Sequence, residues 1–459
     1  MSMESMPDDC LLQIFNMIDD PLILFRCLRV CRRWYLLLSY RLGRVENLLD
    51  LYHIKCKPGV KSLCFVGKKR PLEEPILSAI LKKTPKMKVV CVGFEYTEYD
   101  NYDVNWVQRS LDRLAQLESL KGLIITYLTR VRTVKIPENI EMLRTDDTYI
   151  TTGFYPRVKQ LLVDDTFFTR SINRFPSLER LNLLIDNHPS HWYQVARAYR
   201  YLFRKLKIIE IDTSYEECLS EVNHACQFIC LCPKAESAHI KIAIDQTVHF
   251  THFRHENLKN LVITYVDYEL MGEYISNLFY LLKRFPNVKH LAIKYDTSYI
   301  HSNCTSPESD YDEFKHEDFE AVVEIVPGEG IELQEGAENG GDENEGAEDG
   351  GAPNQSERQN PPTGSVIPFL VVTMLQKLVL LDMRDITGVD ATSAMYVHDY
   401  CQQKGRSIKF YFGYSDDSVV KRDWPELFND NERDGQEFNF MKHLFLPDYR
   451  RTPFFLEPY

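Results

Sequence analysis

Short apolar runs alternate with amphipathic stretches along most of the chain, and one frame recurs at the start of these runs. The frame is proline, any residue, an apolar residue, two further residues, then two apolar or small residues two positions apart. It begins at Pro85, Pro156, Pro176, Pro233 and Pro286. The same apolar spacing without proline occurs at Val60-Leu63-Phe65, Leu120-Leu123-Ile125, Leu206-Ile209-Ile211, Leu258-Leu261-Ile263 and Leu375-Leu378-Leu380. Successive units start about 20 to 33 residues apart where the series is unbroken.

This frame predicts a strand that follows a tight turn. The last two apolar positions lie on one face of a strand, because side chains alternate between the two faces. Proline ends the preceding helix, since it lacks an amide proton and restricts the residue before it. Helices are predicted at 105–117, 191–206, 269–285 and 390–405. Asp390 is placed to cap the last helix at its N-terminus, and Gly405 follows its end.

One strand and one helix of this size cannot bury their apolar faces alone, but a stack of such units can. The pattern resembles a degenerate leucine-rich repeat over roughly 350 residues. The predicted fold class is therefore α/β, an irregular solenoid with a curved parallel sheet. It departs from that family because no regular Asn or Cys follows the third apolar position. A doubly wound α/β domain is the alternative, although no Gly-rich phosphate loop follows any predicted strand.

The N-terminal segment has a different, purely helical pattern. Leu11, Ile14, Phe15 and Ile18 form one apolar stripe with helical spacing, and Pro7 suits the first turn of a helix. Three short helices carry more apolar surface than they can bury against one another, and such a surplus is typical of a partner surface. A helical cap that covers the first repeat is the alternative interpretation.

Residues 6–39 resemble the F-box. The matching features are Pro7, the apolar stripe, Leu24 and the cluster from Val30 to Trp34, while Met6 and Cys10 depart from the usual residues. The resemblance implies binding to the Skp adaptor of a Skp–cullin–F-box ubiquitin ligase. The expected adaptor contacts are Pro7, Leu11, Leu12, Ile14, Phe15, Leu24, Val30, Cys31 and Trp34.

Charge is distributed unevenly along the chain. The net charge is −13, yet the segment from His301 to Glu357 alone carries −17, so the rest is close to neutral. No strongly basic domain exists, which argues against a nucleic-acid partner. The Gly/Glu/Asn-rich core of the acidic segment, 328–355, is predicted to be a disordered insertion. Its alternative role is docking of basic proteins, which would make the chain an acidic leucine-rich-repeat binding module without ligase activity.

The sequence contains no known catalytic motif and no cofactor-binding motif, so no cofactor is expected. The spacing of His249, His252 and His255 favours a surface or loop role over a metal site, and the group of Cys218, Cys226, Cys230, Cys232 and His224 contains no Cys-x-x-Cys. The sequence DNERDG at 430–435 lacks the closing Glu of a calcium loop. No metal is therefore expected.

Localisation is expected to be cytoplasmic, nuclear or both. The N-terminus has no signal-peptide pattern, and the longest lipid-like run, Val366 to Leu375, is about half of a membrane span. Twelve cysteines without framework spacing suit a reducing compartment. No membrane partner is expected.

The sequence divides into an F-box at 1–50, repeats at 51–300, the acidic insertion at 301–365, and further repeats with a tail at 366–459. A protein substrate of unknown identity is expected to bind the concave face, where strand residues between the core positions should be exposed. The candidate substrate contacts are Arg180, Asn182, Leu184, Glu210, Val262 and Lys294. The loops, or the C-terminal end from Tyr411 to Tyr459, are the alternative site.

Overall fold

The structure is a computed structural model. It describes residues 6–50 except 19, 62–65, 74–93, 104–126, 134–145, 153–185, 192–213, 221–243, 254–266, 274–296, 363–413 except 385 and 387, and 420–424 except 421. The acidic core of the insertion and the DNERDG segment lie outside these residues, as do His249, His252 and Cys218.

Three short helices open the described chain: α1 (Asp8–Asn16), α2 (Pro21–Cys27) and α3 (Arg32–Leu42). The α2 helix begins with Pro21 after Asp20, whose carboxylate accepts a hydrogen bond from the Leu22 amide at 2.7 Å. The α3 helix continues through residues 43–46 directly into the first strand.

Thirteen described strands form one parallel sheet. They are β1 (Asn47–Asp50), β2 (Ser62–Phe65), β3 (Val89–Gly93), β4 (Gly122–Thr126), β5 (Met142–Thr145), β6 (Gln160–Asp164), β7 (Arg180–Leu184), β8 (Ile208–Thr213), β9 (Ser237–Ala243), β10 (Asn260–Val266), β11 (His290–Asp296), β12 (Leu380–Met383) and β13 (Lys409–Phe412). The strands follow chain order from β3 to β13, whereas β1 lies between β2 and β3. From β3 to β13 the strand order does not reverse, so this part of the sheet is arranged as a solenoid and not as a doubly wound domain. The order reverses once, at β1 and β2.

Helices fill most of the intervals between strands. They are α4 (Glu74–Lys83), α5 (Val104–Leu114), α6 (Asp165–Ser171), α7 (Trp192–Ala198), α8 (Glu221–Leu231), α9 (Tyr274–Leu282), α10 (Thr363–Met374) and α11 (Ala391–Lys404). Their buried residues form one continuous core with one face of the sheet and with the N-terminal helices. The other side of the sheet is called the second face below. The predicted ends of α11 are confirmed, since Asp390 and Ser393 form a capping box and Gly405 has φ 61°.

The recurring frame placed most strands correctly, with four differences. The sequence pattern missed β1, β5 and β13, partly because the third core position of β5 is a buried threonine, Thr145. It also placed β12 three residues too early. Leu381 pairs in register with the core residue Leu291, while Leu380 lies on the second face. Two overlapping sets of apolar residues satisfy the same spacing there, so the sequence could not distinguish them.

A continuous ladder joins the turns that lead into the strands. The residue before each strand from β3 to β12 donates its amide to the carbonyl of the equivalent residue in the neighbouring strand's turn, at 2.6 to 2.9 Å. Most of these residues are charged, and opposite charges often face each other. For example, the Glu141 carboxylate lies 2.9 Å from Lys121 and 3.5 Å from Lys159, and Lys207 lies 2.9 Å from Glu179. The side chains therefore reinforce the register that the backbone sets.

Replacement of Glu141 by lysine should lower the free energy of unfolding by about 1 kcal/mol, because four lysines, at positions 88, 121, 141 and 159, would then be adjacent in the ladder. Glu138→Lys makes the same charge change in an exposed i,i+3 pair with Lys135, and should leave stability unchanged within error. Urea titration of both variants measures the difference. Equal effects would show that the ladder charges do not contribute to register.

His255 connects three successive units. Its backbone amide donates to Arg284 O at 2.8 Å, its Nε2 contacts Cys232 O at 2.9 Å, and its Nδ1 accepts from the Leu258 amide at 3.0 Å. The ring is therefore neutral, with the proton on Nε2 directed at the Cys232 carbonyl. Burial lowers the pKa of His255, and the Cys232 carbonyl offsets part of that effect. Of the two expected roles, a surface or a loop residue, His255 has the second: it lies in a loop, but it is buried.

This histidine should make the fold sensitive to acid. Because the pKa of His255 is lower in the folded state than its ordinary value of about 6.5, its contribution is complete above that pH. The contribution is then lost as the pH falls through the folded-state pKa. The wild type should lose stability between about pH 7.5 and pH 5.5, and His255→Gln should lose less. The exposed His398, changed to Gln, serves as the control and should behave as wild type in urea titrations at both pH values.

Candidate partner-binding surfaces

Three of the expected adaptor contacts lie in the core of the N-terminal helices. Leu11, Phe15 and Leu24 are buried, and Phe15 packs edge-on against Trp34 with ring centroids 5.1 Å apart. In this structure they cannot touch a partner directly, which corrects the sequence-based assignment. The reason is that an apolar stripe on a short helix must first serve its own domain. These residues support the surface that their neighbours present.

The other expected contacts are accessible to different degrees. Pro7, Val30 and Cys31 are exposed, while Leu12, Ile14 and Trp34 are half-buried. Leu36 and Tyr40 on α3 are also exposed and were not among the expected contacts. Leu36 lies within residues 6–39, and Tyr40 directly follows them. Val30 and Leu36 are each about 60% exposed. An exposed apolar group of this kind is typical of a protein-binding surface.

Arg33 holds the start of α1 against the start of α3. Its guanidinium contacts the Asp8 carboxylate at 2.7 Å and the Met6 carbonyl. Pro7 therefore lies at the same end of the domain as Val30, which directly precedes α3.

The N-terminal helices are fixed to the repeats by more than the chain. The Lys83 ammonium of α4 donates to the Tyr35 hydroxyl at 2.7 Å and lies 4.6 Å from the centre of the Tyr35 ring. This contact lowers the pKa of Tyr35, chiefly through the hydrogen bond from Lys83. The Tyr35 side chain is partly exposed, but it already contacts Lys83 of the same chain. Leu42, the last residue of α3, and Val45, in the segment that joins α3 to β1, are both buried.

The second face of the sheet differs from the expected open surface. Arg180, Asn182, Leu184, Glu210 and Val262 are all buried, and only Lys294 among the candidate substrate contacts is half-exposed. The alternation itself is confirmed, since Val262 belongs to a cluster separate from the main core. The predicted exposure was wrong because hydrogen-bonded parallel strands lie about 4.8 Å apart. At that spacing, side chains at paired positions of neighbouring strands cover one another.

Polar side chains on neighbouring strands pair across this face. Arg180 forms an ion pair with Glu210 in which both side chains are at most 3% exposed, and Asn182 donates to the same carboxylate at 2.6 Å. Burial raises the pKa of Glu210, and the interactions with Arg180 and Asn182 only partly oppose it. Further along, His239 contacts Thr264 at 3.0 Å, and His290 contacts Asn260 at 2.7 Å. Two of the charges first assigned to substrate binding, those of Arg180 and Glu210, therefore neutralise each other.

Loss of one partner should be costly here. Glu210→Ala leaves the Arg180 charge buried without its carboxylate and should cost about 3–5 kcal/mol in the free energy of unfolding. Arg180→Met combined with Glu210→Leu should cost less than the single change, because no unpaired charge remains. Urea titration of the two proteins measures both values. A double variant that loses more stability than Glu210→Ala would contradict this account of the pair.

The C-terminal part of the second face is covered by a helical turn, of which the structure describes residues 420 and 422–424. The Trp424 amide donates to the Val420 carbonyl at 2.7 Å, so both side chains point the same way. Both are buried, and they pack with Val262, Ala292, Leu380 and Tyr411. The Trp424 ring lies 5.3 Å from the ring of His290.

Asp423 anchors this turn through charge. Its carboxylate lies 2.7 Å from the Lys409 ammonium and accepts a hydrogen bond from the Tyr411 hydroxyl. These hydrogen bonds, that from Lys409 foremost, hold the pKa of Asp423 well below its usual range. Burial, reinforced by Asp423, raises the pKa of Tyr411 to about 12. The sequence had named this region only as an alternative site, and nothing in the periodic frame marks residues 420–424.

The described residues contain no group of three or more side chains arranged as metal ligands. The described members of the cysteine group, Cys226, Cys230 and Cys232, are free thiols whose pKa values are raised, chiefly by burial. Among the helices of the described ranges, none is both long and apolar enough to cross a membrane.

Comparison with known proteins identifies the N-terminal surface. Residues 3–42 match the F-box-like family. The chain therefore carries an F-box-like domain, and the match covers α1 to α3 and stops before the sheet. F-box domains are typically non-catalytic and generally bind the Skp adaptor of cullin–RING ligases. No curated protein matches the chain significantly. The long parallel sheet is consistent with a repeat solenoid, and the family match does not extend to it.

Proposed function

We propose that this chain is the substrate-recognition subunit of a Skp–cullin–F-box ubiquitin ligase, with a solenoid of the leucine-rich-repeat type as its substrate-binding part. The observation that carries the proposal is the F-box-like domain with exposed apolar residues, joined to a long sheet. The adaptor would bind the exposed residues at the start of α3 and along it, including Val30 and Leu36.

The mechanism is positional. A ligase of this kind accelerates transfer by raising the effective concentration of substrate near the ubiquitin-loaded enzyme. That effect requires a connection that keeps the substrate within reach. The connection here is residues 43–46, reinforced by the contact between Tyr35 and Lys83. Neither side chain would take part in covalent chemistry. The protein would act in the cytoplasm, the nucleus or both.

Val30→Asp combined with Leu36→Asp should weaken binding of the purified Skp adaptor at least tenfold, about 1.4 kcal/mol, because charge would replace exposed apolar contacts. Titration of the full chain with labelled adaptor measures the loss. Both side chains are about 60% exposed, so the change should leave the fold intact.

Met395→Asp provides a matched control, since Met395 on α11 is exposed to a similar degree and lies outside the F-box-like domain. Its adaptor binding should equal that of the wild type. If the Val30 and Leu36 double variant also bound normally, the adaptor surface would lie elsewhere and the proposal would lose its main support.

A further inference from the structure

The floor beneath residues 420–424 differs from the rest of the second face. One row of the sheet runs in register through Asn182, Glu210, His239, Val262 and Ala292. The first three are polar, whereas the last two are small and apolar. The second face above β10 and β11 therefore has an apolar floor, and the Trp424 side chain packs on it.

This turn extends further than an end cap requires. A solenoid cap covers the last, open strand, which here is β13, and Asp423 does contact Lys409 and Tyr411 of that strand. Trp424 reaches beyond it to His290 of β11, two strands inward from that end. It also lies on the face opposite to the main core, so the helices gain no contact from it. The turn thus occupies a location where a bound partner would lie.

The contacts define what the site accepts. An apolar side chain and a tryptophan four residues later pack on the apolar floor, as Val420 and Trp424 do. A carboxylate one residue before the tryptophan meets Lys409 and the Tyr411 hydroxyl. Aromatic anchors of this kind dominate many protein interfaces, and the charged pair fixes the orientation of the turn.

We propose that the second face over β10 to β13 is a binding site for a short helical turn of a partner protein, with an apolar residue, an acidic residue and a tryptophan at positions i, i+3 and i+4. Residues 420–424 occupy this site as an internal competitor. The inference rests on the proposed function only in identifying the partner as a ligase substrate.

The test uses the full chain and a labelled peptide with the sequence of residues 415–427. In the wild type, the tethered segment competes at an effective concentration that is commonly millimolar, so the peptide should bind weakly. Trp424→Ala should release the site and tighten peptide binding at least tenfold, measured by fluorescence anisotropy. A peptide carrying the same Trp424→Ala change should not bind. No gain in the variant protein, or equal binding of the altered peptide, would overturn the proposal.

A charge exchange tests the geometry of the site. In the Trp424→Ala protein, the further change Lys409→Glu should weaken the peptide at least fivefold. A peptide carrying Asp423→Lys should then recover most of that loss, which a purely structural defect at Lys409 would not allow. Absence of recovery counts against the assigned contact. Met395→Ala, at an exposed site on α11, is the matched control and should bind the peptide as weakly as the wild type does.

The thermal melting temperature decides which variant is used to free the site from residues 420–424. If Trp424→Ala melts early, Asp423→Lys replaces it, because that change loosens the turn without removing apolar volume. Adaptor binding, measured on the same proteins, separates the two proposals. Peptide binding without adaptor binding would refute the ligase function and support this site. Adaptor binding with no peptide binding to either released protein would refute the site alone.

Discussion

The stacking of each strand and its entry turn on those of the neighbouring unit is the constraint on which the rest of the structure depends. No described repeat encloses a core of its own, because the apolar residues of its helix and strand belong to one cluster that continues through the chain. The backbone ladder from Lys88 to Val379 sets the register of this stack. A shift of one residue at any step would move the core leucines to the second face. Residues such as Glu141 and His255 therefore contribute to the fold, since they fix one unit to the next.

The same stack determines where partners can bind. The F-box-like helices join it through residues 43–46, and β1 then enters the sheet between β2 and β3. A partner held on α3 and a partner held on the second face would consequently have a defined separation. This is the property that positional catalysis needs, since effective concentration falls when a connection is long and flexible.

The sequence predicted the elements whose residues follow the period and missed those that break it. Leu161, Leu181 and Leu261 stand at core positions that spacing alone identifies. Thr145 occupies such a position in β5, and a search for apolar residues does not detect it because threonine is polar. Long-range pairing was equally out of reach, because no local rule indicates that Glu210 meets Arg180 or that Trp424 reaches His290. In the N-terminal helices the pattern found the apolar stripe but could not divide it between core and surface.

The buried ion pair restricts where the proposed substrate site can lie on the second face. A ligand that drew Arg180 away from Glu210 would leave one charge buried without its partner, at a cost of about 3–5 kcal/mol. That cost corresponds to a loss of roughly two to four orders of magnitude in affinity. Lys409, by contrast, is partly exposed and already pairs with a carboxylate from outside the sheet, that of Asp423. Exchange of one carboxylate for another at Lys409 carries no such penalty. The proposed binding site on this face is therefore favoured at β10 to β13, beside the apolar floor, over the buried polar rows of β7 and β8.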